Sequence, residues 1–162
     1  GSVAQIVHAA IDLGIADGAI AATLGYVREK ARPWAGSGLQ HAHEDPYIID
    51  AVAELKIRQN AAAAILDIGA TALDEALAQP GEAARARASI AIAEAKVLTT
   101  EIALIATNKL FQLCGASSTR LVHGFDRFWR DARTHTVHDP VHWKYRAIGD
   151  YYLNGKLPPA GL

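Results

Sequence analysis

The six prolines of this chain stand at positions 33, 46, 80, 140, 158 and 159, and their placement restricts the fold more than any other feature. Proline removes a backbone donor and clashes with the turn before it, so a helix stops at or before it or begins with it. Three long proline-free intervals remain, residues 1–32, 47–79 and 81–139, and alanine and leucine recur through them. Both favour helix. Nothing in the chain alternates as a strand would.

Apolar spacing fills these intervals with helices. Ile6, Ala10, Leu13, Ile20, Leu24, Val27 and Ala31, with Asp17 as the one polar interruption, step by threes and fours and predict a helix over about 3–31. Gly14, Gly18 and Gly25 cost such a helix stability and point to close approach of a neighbour. After Arg32-Pro33 comes a loop with Trp34, Gly36 and Gly38, in which His41 and His43 read as surface. Asp45-Pro46 is a cap followed by proline at the first helical position, opening a second helix to about Ala78 with Leu66, Ala70, Leu73 and Leu77. Gln79-Pro80-Gly81 is a turn. A third helix from Glu82 to about Leu113 carries Ile92, Ala95, Leu98 or Thr99, Ile102, Ala106 and Leu110, and Gly115 closes it. Asp139-Pro140 repeats the cap and proline signal ahead of a last helix to Asn154, ended by Gly155. The expectation is an all-α, up-and-down four-helix-type bundle with an extra short C-terminal helix.

Composition narrows the function classes. With 162 residues the chain suits one domain with a real core. Sixteen basic against seventeen acidic side chains give a net charge of −1 and no basic field for nucleic acid. A single cysteine excludes an internal disulfide and suits a reducing, cytoplasmic setting; Cys114, at a helix end, reads as a buried thiol rather than a nucleophile. No apolar run is expected to reach the length of a membrane span, and no signal peptide is visible. Gly1-Ser2 and the lack of methionine suggest a vector remnant ahead of residues 3–162, a domain cut from a longer chain.

The least generic stretch is Phe125–Pro140, FDRFWRDARTHTVHDP. Arg127, Arg130 and Arg133 follow one side of a helix and suit either a solvated face paired with Asp126 and Asp131 or a grip on phosphate or carboxylate. His135, His138 and His142 have spacings seen among metal ligands, but no cysteine joins them and Pro140 interrupts the helix, so hydrogen-bonding or acid–base roles fit better and no metal is assigned. Asp139 is explained by capping alone. Trp34, Trp129 and Trp143 belong to core or interface. Ser117, Ser118 and Thr119 beside Gly115 offer hydroxyl and N–H groups to a phosphate without a phosphate loop's spacing. There is no placeable Ser-His-Asp set and no glycine-rich nucleotide fingerprint.

Arg130-Asp131-Ala132-Arg133 resembles the closing segment of the acyl-CoA dehydrogenase superfamily. Thr134-His135-Thr136-Val137-His138-Asp139-Pro140 is similar to its flavin-dependent monooxygenase branch, as are Ala31-Arg32-Pro33-Trp34 and the ending Ile148-Gly149-Asp150-Tyr151 through Pro158-Pro159. The resemblance covers nearly the whole chain, as the family's C-terminal helical domain. It implies upstream helical and β domains, a flavin (FMN or FAD) held between domains and subunits, a homotetramer, a small-molecule substrate and a separate flavin reductase. It places His135, His138 and Asp139 at the flavin or substrate as catalytic candidates, with His138 and Asp139 also contacting the cofactor. Gly115, Ala116, Ser117 and Ser118 resemble the segment meeting the flavin's phosphate side across a subunit interface. Asp139 falls where many acyl-CoA dehydrogenases carry a catalytic Glu in Tyr-Glu-Gly-Thr, but His138-Asp139-Pro140-Val141 departs from that pattern, which disfavours dehydrogenation. The resemblance thus implies a monooxygenase domain, inactive and weakly flavin-binding when isolated. The alternatives are an FAD-dependent acyl-CoA dehydrogenase and a non-catalytic oligomerisation module.

Overall fold

The computed structural model describes residues 1–159 and 162. Five α-helices account for most of it: α1 (Ser2–Glu29), α2 (Pro46–Ala78), α3 (Glu82–Cys114), α4 (Asp126–His138) and α5 (His142–Asn154). Short 3-10 turns occupy the connections, and no strand occurs among the described residues. The three long and two short helices make the expected bundle. The punctuation works largely as read. Asp45 Oδ1 accepts from the Tyr47 N–H at 2.9 Å, with Pro46 at the start of α2. Gly115 (φ 76°) and Gly155 (φ 64°) close α3 and α5 in the left-handed half of φ space, which suits glycine.

α3 is the central helix. α1 and α2 pack along it, and α4 and α5 also rest on it. Its expected stripe is buried, with Ile92, Ala95, Ile102, Ala106 and Leu110 all at 2% exposure or less. The alanines allow this crowding, because small side chains let several helices approach one backbone. Gly69 of α2 serves the same end, since a Cβ there would lie 3.4 Å from the Ala91 carbonyl oxygen of α3.

α1 departs from its expected stripe. Ala9, Asp12, Ala16, Ala19 and Thr23 are buried with Ile20 and Val27, whereas Ala10 is exposed and Asp17 faces outward to accept from Gln59 Nε2 at 2.5 Å. The helix is apolar on several sides, so periodicity did not define the inward face; small residues and one acid won it. Of the three glycines, only Gly18 marks a close approach: a Cβ there would meet Phe128 Cε1 of α4 at 2.9 Å, whereas Gly14 and Gly25 have nothing within 4 Å. By length and composition α1 also reaches the span of a membrane, contrary to expectation. It lies instead along α3, with a buried carboxylate at Asp12.

Candidate active site

Three helices bring polar side chains to one point. α1 contributes Gln5, His8 and Asp12, spaced three and four apart, and α3 contributes Lys96 and Thr100, spaced by four. α4 is seated by Phe125, Phe128 and Ala132 against the core, which turns His135 toward α1. Each set shares a helix face because three- and four-residue steps return to the same side.

Asp12 is the centre of the cluster, with its side chain wholly buried. Its Oδ2 accepts from Lys96 Nζ at 2.6 Å and from Thr100 Oγ1 at 2.9 Å, and its Oδ1 meets His135 Nδ1 at 2.5 Å. His135 Nε2 lies 2.8 Å from His8 Nδ1, and the His8 ring stacks on His138 with centroids 5.3 Å apart. Burial, first, and then the charges of His135, Lys96 and His138 hold His8 below the usual histidine range, with Asp139 opposing. The cluster is buried on its Asp12–Lys96 side, half-buried at His8 and His135, and exposed at His138. The neighbouring surface of α1 is apolar, with Val3, Val7 and Ile11 exposed in line.

Asp139 corrects its sequence reading. It ends α4 (φ −130°, ψ 103°) and caps nothing; α5 starts after Val141 without a side-chain cap. Pro140 lies outside the helical turns, so the cap position moved past the acid. Lys144 Nζ of α5, buried, stands 3.2 Å from Asp139 Oδ2 but off hydrogen-bond angle, which leaves that buried oxygen without a hydrogen-bond donor. Gln5 Oε1 is the other buried side-chain atom without a partner among the described residues. Asp139 is thus turned toward Lys144 of α5.

His142 does not join the cluster; it is exposed and lies beside Trp143. Among the described residues no group of three His, Cys, Asp or Glu converges as metal ligands do. Arg127, Arg130 and Arg133 are exposed, with Arg130 paired to Asp126 at 3.3 Å. His41 and His43 are stacked on the loop surface. Cys114 is buried, and burial pushes its thiol up to about 11.

Gly115, Ala116, Ser117 and Ser118 lie at the other end of the bundle. Ser117 Oγ is 2.9 Å from the hydroxyl of Tyr26 on α1, and Ser118, buried, donates to the Gly115 carbonyl at 2.7 Å. Eighteen residues of α1 separate Tyr26 from His8, about 27 Å of helix. One chain therefore does not bring the two predicted halves of the site together. Gln5, His8, Asp12, Lys96, Thr100 and Lys144 escaped sequence reasoning. Their one signal was a lone acid and a lone base set between apolar neighbours, Ile11-Asp12-Leu13 and Ala95-Lys96-Val97.

A bundle centred on a buried α3, with a polar α4 turned onto α1, has the form of an acyl-CoA dehydrogenase helical domain. The chain belongs to that family, matching "Acyl-CoA dehydrogenase, C-terminal domain" over residues 6–143. It is 39% identical to the dibenzothiophene monooxygenase of Mycolicibacterium goodii, over 100% of this chain and 40% of that protein. It is 34% identical to a probable FMNH2-dependent monooxygenase, SfnC, of Pseudomonas putida, over 96% and 40%. The crystal structure of TdsC from Paenibacillus sp. A11-2 with FMN and indole superposes with a TM-score of 0.92 at 34% identity, covering 97% of this chain and 40% of that one. The chain thus spans about two-fifths of the length of the relatives it matches.

Proposed function

We propose that this chain is the C-terminal domain of a monooxygenase that receives reduced FMN from a separate reductase, and that its His8–His135–His138 edge faces the flavin and a small-molecule substrate. The observation that carries this reading is the convergence of three imidazoles from two helices on one edge of the bundle, with His138 exposed at its rim. Imidazoles suit the polar edge of a flavin ring, and the exposed Val3–Val7–Ile11 line suits its apolar rim. Similarity to FMNH2-dependent and FMN-bound relatives favours FMN over FAD.

Bound flavin would supply the reducing equivalents for oxygen activation. The exposed His138 ring is the group of this chain best placed to donate to or accept from a reacting oxygen atom; His8 and His135 stand behind it. Asp139 orients the end of α4 through Lys144 rather than acting as a base. Gly115–Ser118 would meet the phosphate side of a neighbouring subunit's flavin, which accounts for their distance from His8. This sharing calls for at least two copies, and the family resemblance supports a homotetramer, which would cover Ile57, Ile68, Leu77 and Trp34, all more than half exposed. We place the enzyme in the cytoplasm, in keeping with its single reduced cysteine.

The test is His138→Ala in the full-length enzyme, with dibenzothiophene as probe substrate and reduced FMN supplied. Oxygenated product falls by roughly 100-fold while the oligomer elutes unchanged. Product formed at the parental rate would remove His138 from the site. Turnover of an acyl-CoA without any reductase would favour the dehydrogenase instead.

A further inference from the structure

We propose that Asp12 and Lys96 are positioning residues that lock His135 as its Nδ1–H tautomer, and through it set His8 with a bare Nε2, making a one-way hydrogen-bond relay from the site edge into the core. What the relay serves rests on the function proposed above; the tautomers do not.

The direction follows from the chemistry of the partners. An ionised carboxylate can only accept. Lys96 Nζ and Thr100 Oγ1 already donate to Asp12 Oδ2, so His135 Nδ1, 2.5 Å from Oδ1, is also a donor. A neutral His135 then has only a lone pair at Nε2, and His8 Nδ1, 2.8 Å away, must carry the proton between them. A neutral His8 is left with Nε2 unprotonated. Each bond in the chain fixes the next.

Lys96 balances the charge of Asp12. Asp12 without Lys96 would leave an unneutralised negative charge facing His135. With Lys96 Nζ at 2.6 Å the pair carries no net charge, and its hold on His135 is directional rather than ionic. The titratable groups facing His8 are Lys96 from α3, His135 and His138 from α4, and Asp139 beyond it; burial first, together with the Lys96 ammonium, holds His8 below the usual histidine range. A proton arriving at Nε2 leaves the Nδ1–H bond to His135, and the His135 bond to Asp12, in place. Asp12 never takes the proton itself. Stability alone does not explain the cluster, because apolar residues commonly replace a buried ion pair without loss.

The experiment is long-range 1H–15N correlation on the 15N-labelled 162-residue chain at pH 7.5, followed by the Asp12→Leu/Lys96→Met variant. In the parent, His135 and His8 both show the Nδ1–H pattern; an Nε2–H or doubly protonated His135 overturns the proposal, whatever becomes of the variant. In the variant, His135 becomes a mixture of tautomers while helical circular dichroism persists; an unchanged His135 pattern in the folded variant shows that Asp12 is not what fixes it. In the full-length enzyme the same pair of substitutions lowers kcat at least about tenfold and displaces the acid limb of the pH profile, with KM within about twofold. A loss equal at every pH refutes the positioning role. The spectra need no flavin, so a parent enzyme that fails to oxygenate would overturn the proposed function and leave the tautomer result standing.

Discussion

Removing the ammonium from the core tests the energetics of the cluster most directly. Lys96→Met keeps most of the side-chain volume, giving up only the terminal ammonium, but strands Asp12, whose side chain has 0% exposure. Breaking a buried pair by deleting one partner costs about 3–5 kcal/mol. Asp12 retains His135 and Thr100 as donors, which places the expected loss at the lower end, about 3 kcal/mol. A domain of this size has a stability on the order of 8–24 kcal/mol, so the variant folds in water. With a urea dependence of about 2 kcal/mol per molar, the midpoint falls by about 1.5 M. The assay is urea denaturation followed by far-UV circular dichroism and tryptophan fluorescence. Asp12→Leu/Lys96→Met returns to within about 1 kcal/mol of the parent, because no buried charge remains. A single variant as stable as the parent would show that Asp12 is solvated or already neutral. A double variant as weak as the single would show that the stranded charge is not the source of the loss.

Two further perturbations follow from packing and burial. Gly14→Ala stabilises the chain by about 0.5–1 kcal/mol, since nothing lies within 4 Å of the new methyl, whereas Gly18→Ala costs about 1 kcal/mol net by driving the Phe128 ring away from α1; thermal melts in the opposite order would refute the α1–α4 contact. Cys114, held at about 11 by burial, is alkylated by iodoacetamide at pH 8 roughly 100-fold more slowly in the folded chain than in urea, and comparable rates would show an open site. Its folded value lies above the unfolded one, so its stabilising effect is complete below about pH 8.5 and is lost as pH rises toward 11; Cys114→Ala flattens that decline.

Much of the frame is legible in the sequence because its breaks are chemical. Asp45-Pro46, Gly115 and Gly155 act where they stand, through a side-chain acceptor or a backbone that glycine tolerates. The stripe of α3 is legible because large apolar side chains at helical steps have one burial solution. α1 is misread for the converse reason: with Val3, Val7 and Ile11 outside and Ala9, Ala16 and Ala19 inside, hydrophobicity does not separate its faces. Asp139-Pro140 carries the same two residue types as Asp45-Pro46, yet the acid turns to Lys144, a partner five residues on that no cap rule anticipates. His135 and His138 stood out by their spacing, and the resemblance added a place beside a flavin. Asp12, Lys96 and His8 were missed because their meeting depends on contacts 84 to 127 residues apart in sequence, and no local pattern encodes such a pairing.

The two predicted contact regions are joined by a single element, and this bears on how such a site is assembled. α1 carries His8 near one end and Tyr26, bonded to Ser117, near the other. Along most of that length the helix is fixed to α3, and at Asp12 it is fixed by charge as well as by packing. A continuous helix so held is a rigid spacer, so the distance between the histidine edge and Gly115–Ser118 is a constant of the fold. Residues that far apart in one chain can serve one flavin only if a second copy supplies one of the two ends. Under the proposed shared site, the exposed apolar residues of α2 and the outward-facing Trp34 are the surface such a copy would cover, and the buried Asp12–Lys96 pair fixes α1 to α3 at the histidine end.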